Sequence, residues 1–255
     1  MSKKHLTFLI TRTSVHVAEV LHSTQEVVRD ASYYFSSSLE LEIKDELKAF
    51  LNNLNWSEEY DEYSLAWFSN NSFLVPMRLF QSSDKKELMK FVVGDKIETS
   101  TIDYNRLPEL DVVCIYEIPD WVKSIFIIRY PRIAIYHDTT VLLRALSQKP
   151  SFQLTINVIC YDESITIAMM RHNELKFCNN FEYQSSEDIV YYLLNAIEQL
   201  GFKDEKGELL FLNSSEKSRK NVEGCIQVLK KQVQLEYLKI IEGSLFSSLN
   251  QLKCA

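Results

Sequence analysis

The stretch Leu6-Thr7-Phe8-Leu9-Ile10-Thr11 decides how this chain is interpreted, because a later stretch, Leu154-Thr155-Ile156-Asn157-Val158-Ile159, has the same character. Each stretch is followed by a short polar turn and a second apolar run, Val15 to Leu21 in the first case and Ile165 to Met170 in the second. A third extended run and a serine-capped helical pattern complete both segments. Short apolar runs bounded by polar turns indicate β-strands. The sequence therefore predicts a repeated strand-strand-strand-helix unit.

The two helical patterns begin with similar capping sequences. Ser37-x-x-Glu40 has the spacing of a capping box, in which the serine accepts a backbone N–H and the glutamate reaches back. Ser185-x-x-Asp188 is an imperfect box, because the aspartate side chain is shorter. Gly201 follows the second apolar stripe and is expected to end its helix as a C-cap.

A strand and a helix follow each of these helices. The strands are predicted at Leu65–Phe68 and Leu209–Leu212, and the helices around 85–91 and 217–229. Three strands, a helix, a strand and a helix is the order of a ribonuclease-H-like unit. Two such units in tandem predict an α/β protein with mixed sheets, in the architecture of the actin-like ATPase fold.

Further elements are predicted between the two units. They comprise a buried strand at 111–117, a helix from Pro119 to about Ile128, a strand at 132–136 and a helix near 139–147. The linker is expected at Lys149-Pro150-Ser151, because proline forces the preceding residue out of helical geometry. The predicted division is a first unit at 1–150, carrying the extra segment, and a second unit at 151–255.

Composition narrows the classes of partner. The chain has 255 residues, a formal net charge of −7, 46% hydrophobic residues and 25% charged residues, as in an ordinary globular protein. The acidic balance argues against nucleic acid as a main partner, because phosphate binding needs a basic surface. RNA association through the basic 217–231 helix is a weaker alternative. No apolar run approaches the roughly 20 residues that span a bilayer, so no membrane insertion and a cytoplasmic location are expected.

Cysteine and histidine spacing predicts no metal site and no disulfide framework. The five cysteines show no C-x-x-C spacing, and Cys160 and Cys178 fall in strand-like runs typical of buried thiols. The histidines are scattered, without an i, i+4 pair on one helix. The segment His137-Asp138-Thr139-Thr140 is the most suggestive group, but Asp138 is expected to cap the helix that follows.

The turns between the first two strands of each unit are the places where a phosphate could bind. Such a turn in an actin-like ATPase uses an aspartate for the metal and a glycine that lets backbone N–H groups approach the phosphate. The first turn is Thr11-Arg12-Thr13-Ser14, and the second offers Asp162 beside a repelling Glu163. None of the five glycines falls in a glycine-rich loop. Arg12, Thr13, Ser14 and Asp162 are therefore the only, weak candidates for ligand contacts.

The sequence contains no residue pattern that predicts catalysis. A two-metal nuclease needs several converging carboxylates, yet Leu6 to Thr11 has none and Asp162 stands alone near the equivalent edge. No G-x-S-x-G sequence surrounds any of the serines. We expect no catalytic residue, no metal and no cofactor.

Several motifs resemble a known family. Phe73-Leu74-Val75-Pro76-Met77-Arg78-Leu79-Phe80 is similar to the signature F-x-L-V-P-x-x-L-F with one residue fewer. The run from Asn179 to Leu194 resembles N-S-F-x-Y-x-x-x-E-D-x-x-Y-Y-L-L, and Ile118-Pro119 and Tyr136-His137 are also similar. The family is the bacterial domain-of-unknown-function family 3822. This resemblance implies an actin-like ATPase fold of unestablished role, with no catalytic residue to transfer.

These observations favour a non-enzymatic, actin-like pseudo-ATPase that acts as a cytoplasmic protein-interaction or scaffold module with an unknown protein partner. The alternative is a small-molecule or nucleotide sensor that binds its ligand in the inter-domain cleft without hydrolysis, through Arg12, Thr13 and Ser14.

Overall fold

The structure of this protein is a computed structural model, which describes residues 3–56, 59–80, 84–94, 100–149, 151–213, 215–232, 238–244, 246–251 and 254. Its strands are β1 (Lys4–Ile10), β2 (Ser14–Leu21), β3 (Glu26–Tyr34), β4 (Glu62–Trp67), β5 (Ser72–Pro76), β6 (Ser100–Leu107), β7 (Val112–Pro119), β8 (Ala134–His137), β9 (Leu154–Cys160), β10 (Ser164–Arg171), β11 (Glu174–Glu182), β12 (Gly207–Asn213) and β13 (Leu238–Ser244). Its helices are α1 (Glu40–Asn53), α2 (Met77–Phe80), α3 (Lys85–Val93), α4 (Asp120–Arg129), α5 (Asp138–Ser147), α6 (Ser186–Gln199), α7 (Glu216–Gln232) and α8 (Phe246–Gln251).

Two five-stranded mixed sheets repeat one strand order. The first is ordered β3-β2-β1-β4-β8 and the second β11-β10-β9-β12-β13. In each, the first three strands are antiparallel, and the last two run parallel to the central strand. The pairing also shifts at equivalent places, between Glu19 and Val20 and between Met169 and Met170. The predicted strand-strand-strand-helix order is thus present in both segments.

A third sheet, of three strands, lies within the first unit. Its antiparallel order is β5-β7-β6, and α3 packs against it through Met89, which is buried with Val75, Ile102, Val113 and Ile115. The sequence prediction treated α3 as the helix that follows β4 in the repeat. That assignment was wrong, because α3 belongs to this inserted sheet. The helix that packs on α1 and precedes the last strand of the first sheet is α4, as α7 packs on α6 in the second unit.

The central strands are buried on both faces. In the first sheet, the Phe8 ring contacts that of Phe126 on α4, with 5.0 Å between centroids. On the opposite face, Leu9 packs with Val141 of α5 and with Cys254. Because both faces are covered, β1 reads as a continuous apolar run instead of an alternating one.

The helix ends explain which capping predictions succeed. The Ser185 hydroxyl accepts the N–H of Asp188, whose carboxylate accepts the Ser185 N–H, so the shorter aspartate completes the box. Gly201, at φ +71°, ends α6 in a Schellman motif: its N–H donates to Glu198 and that of Phe202 to Ile197.

The first predicted box is wrong. The N-cap of α1 is Leu39, which provides no side-chain cap, and the Ser37 hydroxyl accepts the Leu39 N–H instead. Glu46, nearly two turns into the helix, accepts hydrogen bonds from both the N–H and the hydroxyl of Ser36. These contacts hold the entry segment without the Ser37–Glu40 exchange.

The chain divides into units at 1–145 with 247–255, and at 146–246. The predicted assignment of all of 151–255 to the second unit therefore differs at the C-terminus. The amide of Gln251 donates to the Phe8 carbonyl, and the Tyr136 hydroxyl donates to the Cys254 carbonyl, so these residues pack on the first sheet. Among the described residues, no helix is both long and apolar enough to cross a membrane.

Candidate functional site

The first hairpin turn is closed by its own side chains. The Thr11 hydroxyl accepts the N–H groups of Thr13 at 3.2 Å and Ser14 at 3.1 Å, and the Ser14 hydroxyl lies 3.0 Å from it. The Thr11 N–H donates to the Ser14 carbonyl, and Arg12 is exposed at the tip. Successive N–H groups that could surround an anion are therefore already bound to a hydroxyl. The predicted residues Arg12, Thr13 and Ser14 share this turn.

The second hairpin turn directs its carboxylate to a neighbouring helix. The Ser215 hydroxyl donates a short hydrogen bond to Asp162 and accepts the N–H of Ser218, at the start of α7. Glu163 is exposed beside it. Asp162 therefore fastens the turn to α7 of its own unit, and the turn carries two negative charges next to any incoming phosphate.

The Tyr183 hydroxyl links this second turn to α7 through two hydrogen bonds. It donates to the Tyr161 carbonyl at 2.5 Å and accepts from the side-chain amide of Asn221 at 2.8 Å. Burial raises the pKa of Tyr183 well above its ordinary value, so the phenol stays protonated. Tyr183 belongs to the run from Asn179 to Leu194 that resembles the family motif, and its hydrogen bonds stabilise the turn.

The segment around His137 forms a buried hydrogen-bond network, in which the Thr139 hydroxyl has no partner among the described residues. The Nδ1 atom of His137 accepts the N–H of Thr139 at 3.2 Å, and its Nε2 atom lies 3.1 Å from the Ser69 carbonyl, to which it donates. The prediction that Asp138 caps α5 was wrong, because α5 begins at Asp138 itself. Asp138 instead accepts a short hydrogen bond from Ser247. Burial lowers the pKa of His137 to about 4, so the ring is neutral.

The cysteines lack the features of reactive thiols. Cys114, Cys160, Cys225 and Cys254 are buried, and Cys178 is half-buried. Burial raises the pKa of Cys114 and Cys225 to about 12 and that of Cys254 to about 11. A nucleophilic cysteine needs a thiolate, which such pKa values suppress at neutral pH. The prediction of buried thiols holds for Cys160, while Cys178 keeps part of its surface.

The sequence reasoning missed one group of chemically capable side chains. Donor atoms of His5, His22 and Glu62 lie within 4.8 Å of one another, with His5 buried and the other two half-buried. Burial lowers the pKa of His5 to about 4, against an opposing effect of the Glu62 carboxylate. No motif of closely spaced residues predicts this group, because its members come from three different strands or strand ends. Only the pairing register of β1 with β2 and β4 could have revealed it.

Comparison with protein families gives one match that covers most of the chain. The family model described as "Protein of unknown function (DUF3822)" matches residues 1–231. None of the curated protein sequences compared with this chain is significantly similar to it.

Solved structures share the fold at low sequence identity. A Bacteroides thetaiotaomicron VPI-5482 protein with an actin-like ATPase fold and unknown function has a TM-score of 0.82 and 20% identity, over 100% of this chain and 97% of that one. The PilM-PilN type IV pilus biogenesis complex gives 0.53 and 11%, over 99% and 95%. An exopolyphosphatase from Cytophaga hutchinsonii gives 0.41 and 10%, over 92% and 73%. The first of these likenesses shows the actin-like ATPase fold and nothing finer.

Proposed function

Because this chain belongs to the DUF3822 family and has the actin-like ATPase fold, we propose that it is a non-enzymatic member of that fold which works by binding another protein. The observation that carries the proposal is the state of the two hairpin turns. In the first, the Thr11 hydroxyl already binds the N–H groups of Thr13 and Ser14. In the second, Asp162 is held by Ser215.

These contacts disfavour phosphate binding for a physical reason. An anion site of this kind needs free N–H groups and an approach without opposing charge. To bind a phosphate, the first turn would have to break two hydrogen bonds, and the second would have to bring it toward Asp162 and Glu163. Repulsion between like charges at contact distances costs several kcal/mol where water is excluded. The four buried cysteines, whose raised pKa values keep them protonated at neutral pH, likewise offer no nucleophile.

Nucleotides are expected to leave the thermal stability of the protein unchanged. A ligand present at about 100 times its dissociation constant adds roughly 2.7 kcal/mol, or on the order of 5–10 °C in Tm for a chain of this size. We expect no such shift with millimolar Mg-ATP or Mg-ADP, and no Mg-dependent turnover. Asp162→Ala is the matched variant. Turnover that Asp162→Ala abolishes, or a Tm shift of that size, would contradict the proposal and revive the nucleotide-sensor alternative.

The surface we propose for the partner lies on the inserted sheet. Phe91 on α3 is 90% exposed, and its neighbour Val92 and Leu79 of α2 are each more than half exposed. α3 buries Met89 against the sheet, whereas the Phe91 side chain is almost entirely in solvent. We propose Phe91, the most exposed of the three side chains, as the anchor of an apolar contact with the partner.

Phe91→Asp is expected to weaken partner binding by at least about 30-fold while leaving the fold intact. Placing a carboxylate in the centre of an apolar contact typically costs at least about 2 kcal/mol of binding free energy, or roughly 30-fold in affinity. The measurement is quantitative affinity capture from the native cell, followed by a binding titration with the purified partner. Phe152→Asp is the control, since Phe152 is 77% exposed in the other unit. Equal binding by both variants and the natural chain would exclude this surface.

A further inference from the structure

Three side chains meet on one face of the first sheet, at the end where β1 begins. His5 on β1 lies opposite Glu62 on β4 and opposite Val20 on β2. Paired residues of neighbouring strands point to the same face, and so does a residue two positions further along a strand. His22, two residues after Val20, therefore reaches the same face, and its N–H donates to the Lys3 carbonyl.

A chain of hydrogen bonds determines which nitrogen of His5 carries the proton. The side-chain amide of Gln251 donates to the Phe8 carbonyl, so its oxygen faces Ser64 and accepts the Ser64 hydroxyl at 2.5 Å. Because Ser64 gives its one proton to Gln251, it must accept from the Nε2 atom of His5, which lies 2.8 Å away. The neutral ring therefore holds its hydrogen on Nε2 and an unprotonated lone pair on Nδ1.

This lone pair points into the cluster without a hydrogen-bond partner. The His5 side chain is fully buried, and Nδ1 has no partner among the described residues. The Oε2 atom of Glu62, which is also an acceptor, lies 3.6 Å from it. Two acceptors facing each other repel, and an unsatisfied buried polar atom costs about 1–3 kcal/mol. A positive charge between them would remove both penalties.

We propose that His5, His22 and Glu62 bind a divalent transition-metal cation of the zinc class. The ligands are Nδ1 of His5, a ring nitrogen of His22 and a carboxylate oxygen of Glu62. Bonds of about 2.0–2.1 Å in a tetrahedral site place ligand atoms about 3.4 Å apart. The Nδ1 to Oε2 distance is 3.6 Å, the His22 Nε2 to Oε2 distance is 2.8 Å, and all three ligand atoms lie within 4.8 Å of one another. Metal binding would replace the hydrogen bond between His22 and Glu62 with a bond from each to the cation.

The ligand chemistry selects the class of cation. Two imidazoles and one carboxylate suit zinc and its neighbours in the first transition series, whereas magnesium and calcium prefer sets of oxygen ligands. Three protein ligands leave at least one position for water, and the half-exposed His22 and Glu62 give it access. Ser64 and Gln251 act as positioning residues, because they orient His5 through Nε2. Lys3, 3.8 Å from Glu62 and 65% exposed, is a weak competitor for the carboxylate.

The test uses the full chain without a polyhistidine tag, stripped of metal by a chelator. Titration with Co²⁺ is followed by visible absorption, and titration with Zn²⁺ by calorimetry. We expect one ion per chain, with the absorption of a tetrahedral nitrogen- and oxygen-ligated Co²⁺ site. Glu62→Gln and His22→Ala are each expected to weaken binding by more than the about 10- to 100-fold that loss of an outer hydrogen-bonding partner costs, and Ser64→Ala by about that amount. Both ligand variants replace half-exposed side chains, so we expect them to fold. Thermal unfolding of each variant checks this independently of metal binding.

His16→Ala is the matched control. His16 lies 3.2 Å from Asp30 on the same sheet and forms a histidine-carboxylate pair without a third ligand among the described residues. Its loss is expected to leave the affinity unchanged. The proposal is overturned if the natural chain binds no metal, or if Glu62→Gln and His22→Ala bind it as tightly as the natural chain does. It is also overturned by a thiolate-to-cobalt charge-transfer band, which would assign the metal to a cysteine.

Discussion

Replacing Gly207 with alanine is expected to destabilise the second unit by about 3 kcal/mol, at the upper end of the usual overpacking range. A Cβ atom at this position would lie 2.1 Å from the carbonyl oxygen of Leu154 and 2.9 Å from its carbonyl carbon. These are backbone atoms of β9, the central strand of the second sheet, so they cannot rotate aside as the end of a side chain could. The strand would have to move, and its pairing with β12 begins at this residue pair.

Hydrogen exchange resolved by peptide is the appropriate measurement, since it reports each unit separately. We expect faster exchange in β9 and β12 and unchanged exchange in β1 and β4. Gly201→Ala serves as the control, because Gly201 has φ +71° and nothing within 4 Å of an added Cβ. It should cost only the strain of a left-handed residue, roughly 1–2 kcal/mol. A Gly207→Ala protein with a smaller loss than Gly201→Ala would show that β9 yields easily.

The main sheets could be predicted because their signals are local. The first three strands of each unit are apolar runs separated by short polar turns, so each hairpin is visible within about 30 residues. Ser185 with Asp188, and Gly201, mark both ends of α6 in the sequence. Ser37 and Glu40 carry the same signal, yet α1 begins differently, since Glu46, nearly two turns further along, binds Ser36. A capping sequence states what is possible locally, and neighbouring side chains decide whether it forms.

The inserted sheet was only partly predictable, because its pairing is not local. β7 is apolar and is predicted from the sequence, but β6 is the mostly polar run Ser-Thr-Ile-Asp-Tyr-Asn-Arg-Leu at 100–107, where only Ile102 and Tyr104 alternate with polar residues. Without β6, α3 had no sheet to pack on and was assigned to the repeat. The C-terminal residues were misassigned for a related reason, since the contacts of Gln251 with Phe8 and Ser64 link opposite ends of the chain.

The candidate sites also differ in how far local sequence predicts them. The two turns were identified from the order of the strands, and their residues lie at the predicted positions, but the closure of the first turn by Thr11 needs the three-dimensional geometry. The group of His5, His22 and Glu62 has no signature in the sequence. Two histidines from neighbouring strands become potential ligands only when the register brings β1 between β2 and β4.

Phe8→Ala is expected to lower the stability of the first unit by about 3–5 kcal/mol, the cost of removing a buried aromatic ring. Phe8 is fully buried at the centre of the first sheet, and its ring contacts Phe126 at 5.0 Å and Tyr130 at 5.4 Å between centroids. The variant loses both the transfer free energy of the buried ring and its edge-to-face pairing with Phe126. The space stays unfilled, because α4 cannot move into it without breaking its packing on α1.

Urea denaturation monitored by exchange in β1 and α4 gives the magnitude. Phe152→Ala removes the same ring from an exposed position and should change stability by less than about 0.5 kcal/mol. The Phe8 carbonyl keeps its hydrogen bond from Gln251 in the variant, so the loss reports packing and not backbone pairing. A loss below about 1.5 kcal/mol, in the range of volume-conserving core changes, would show that α4 collapses onto the sheet and that the aromatic contact is dispensable.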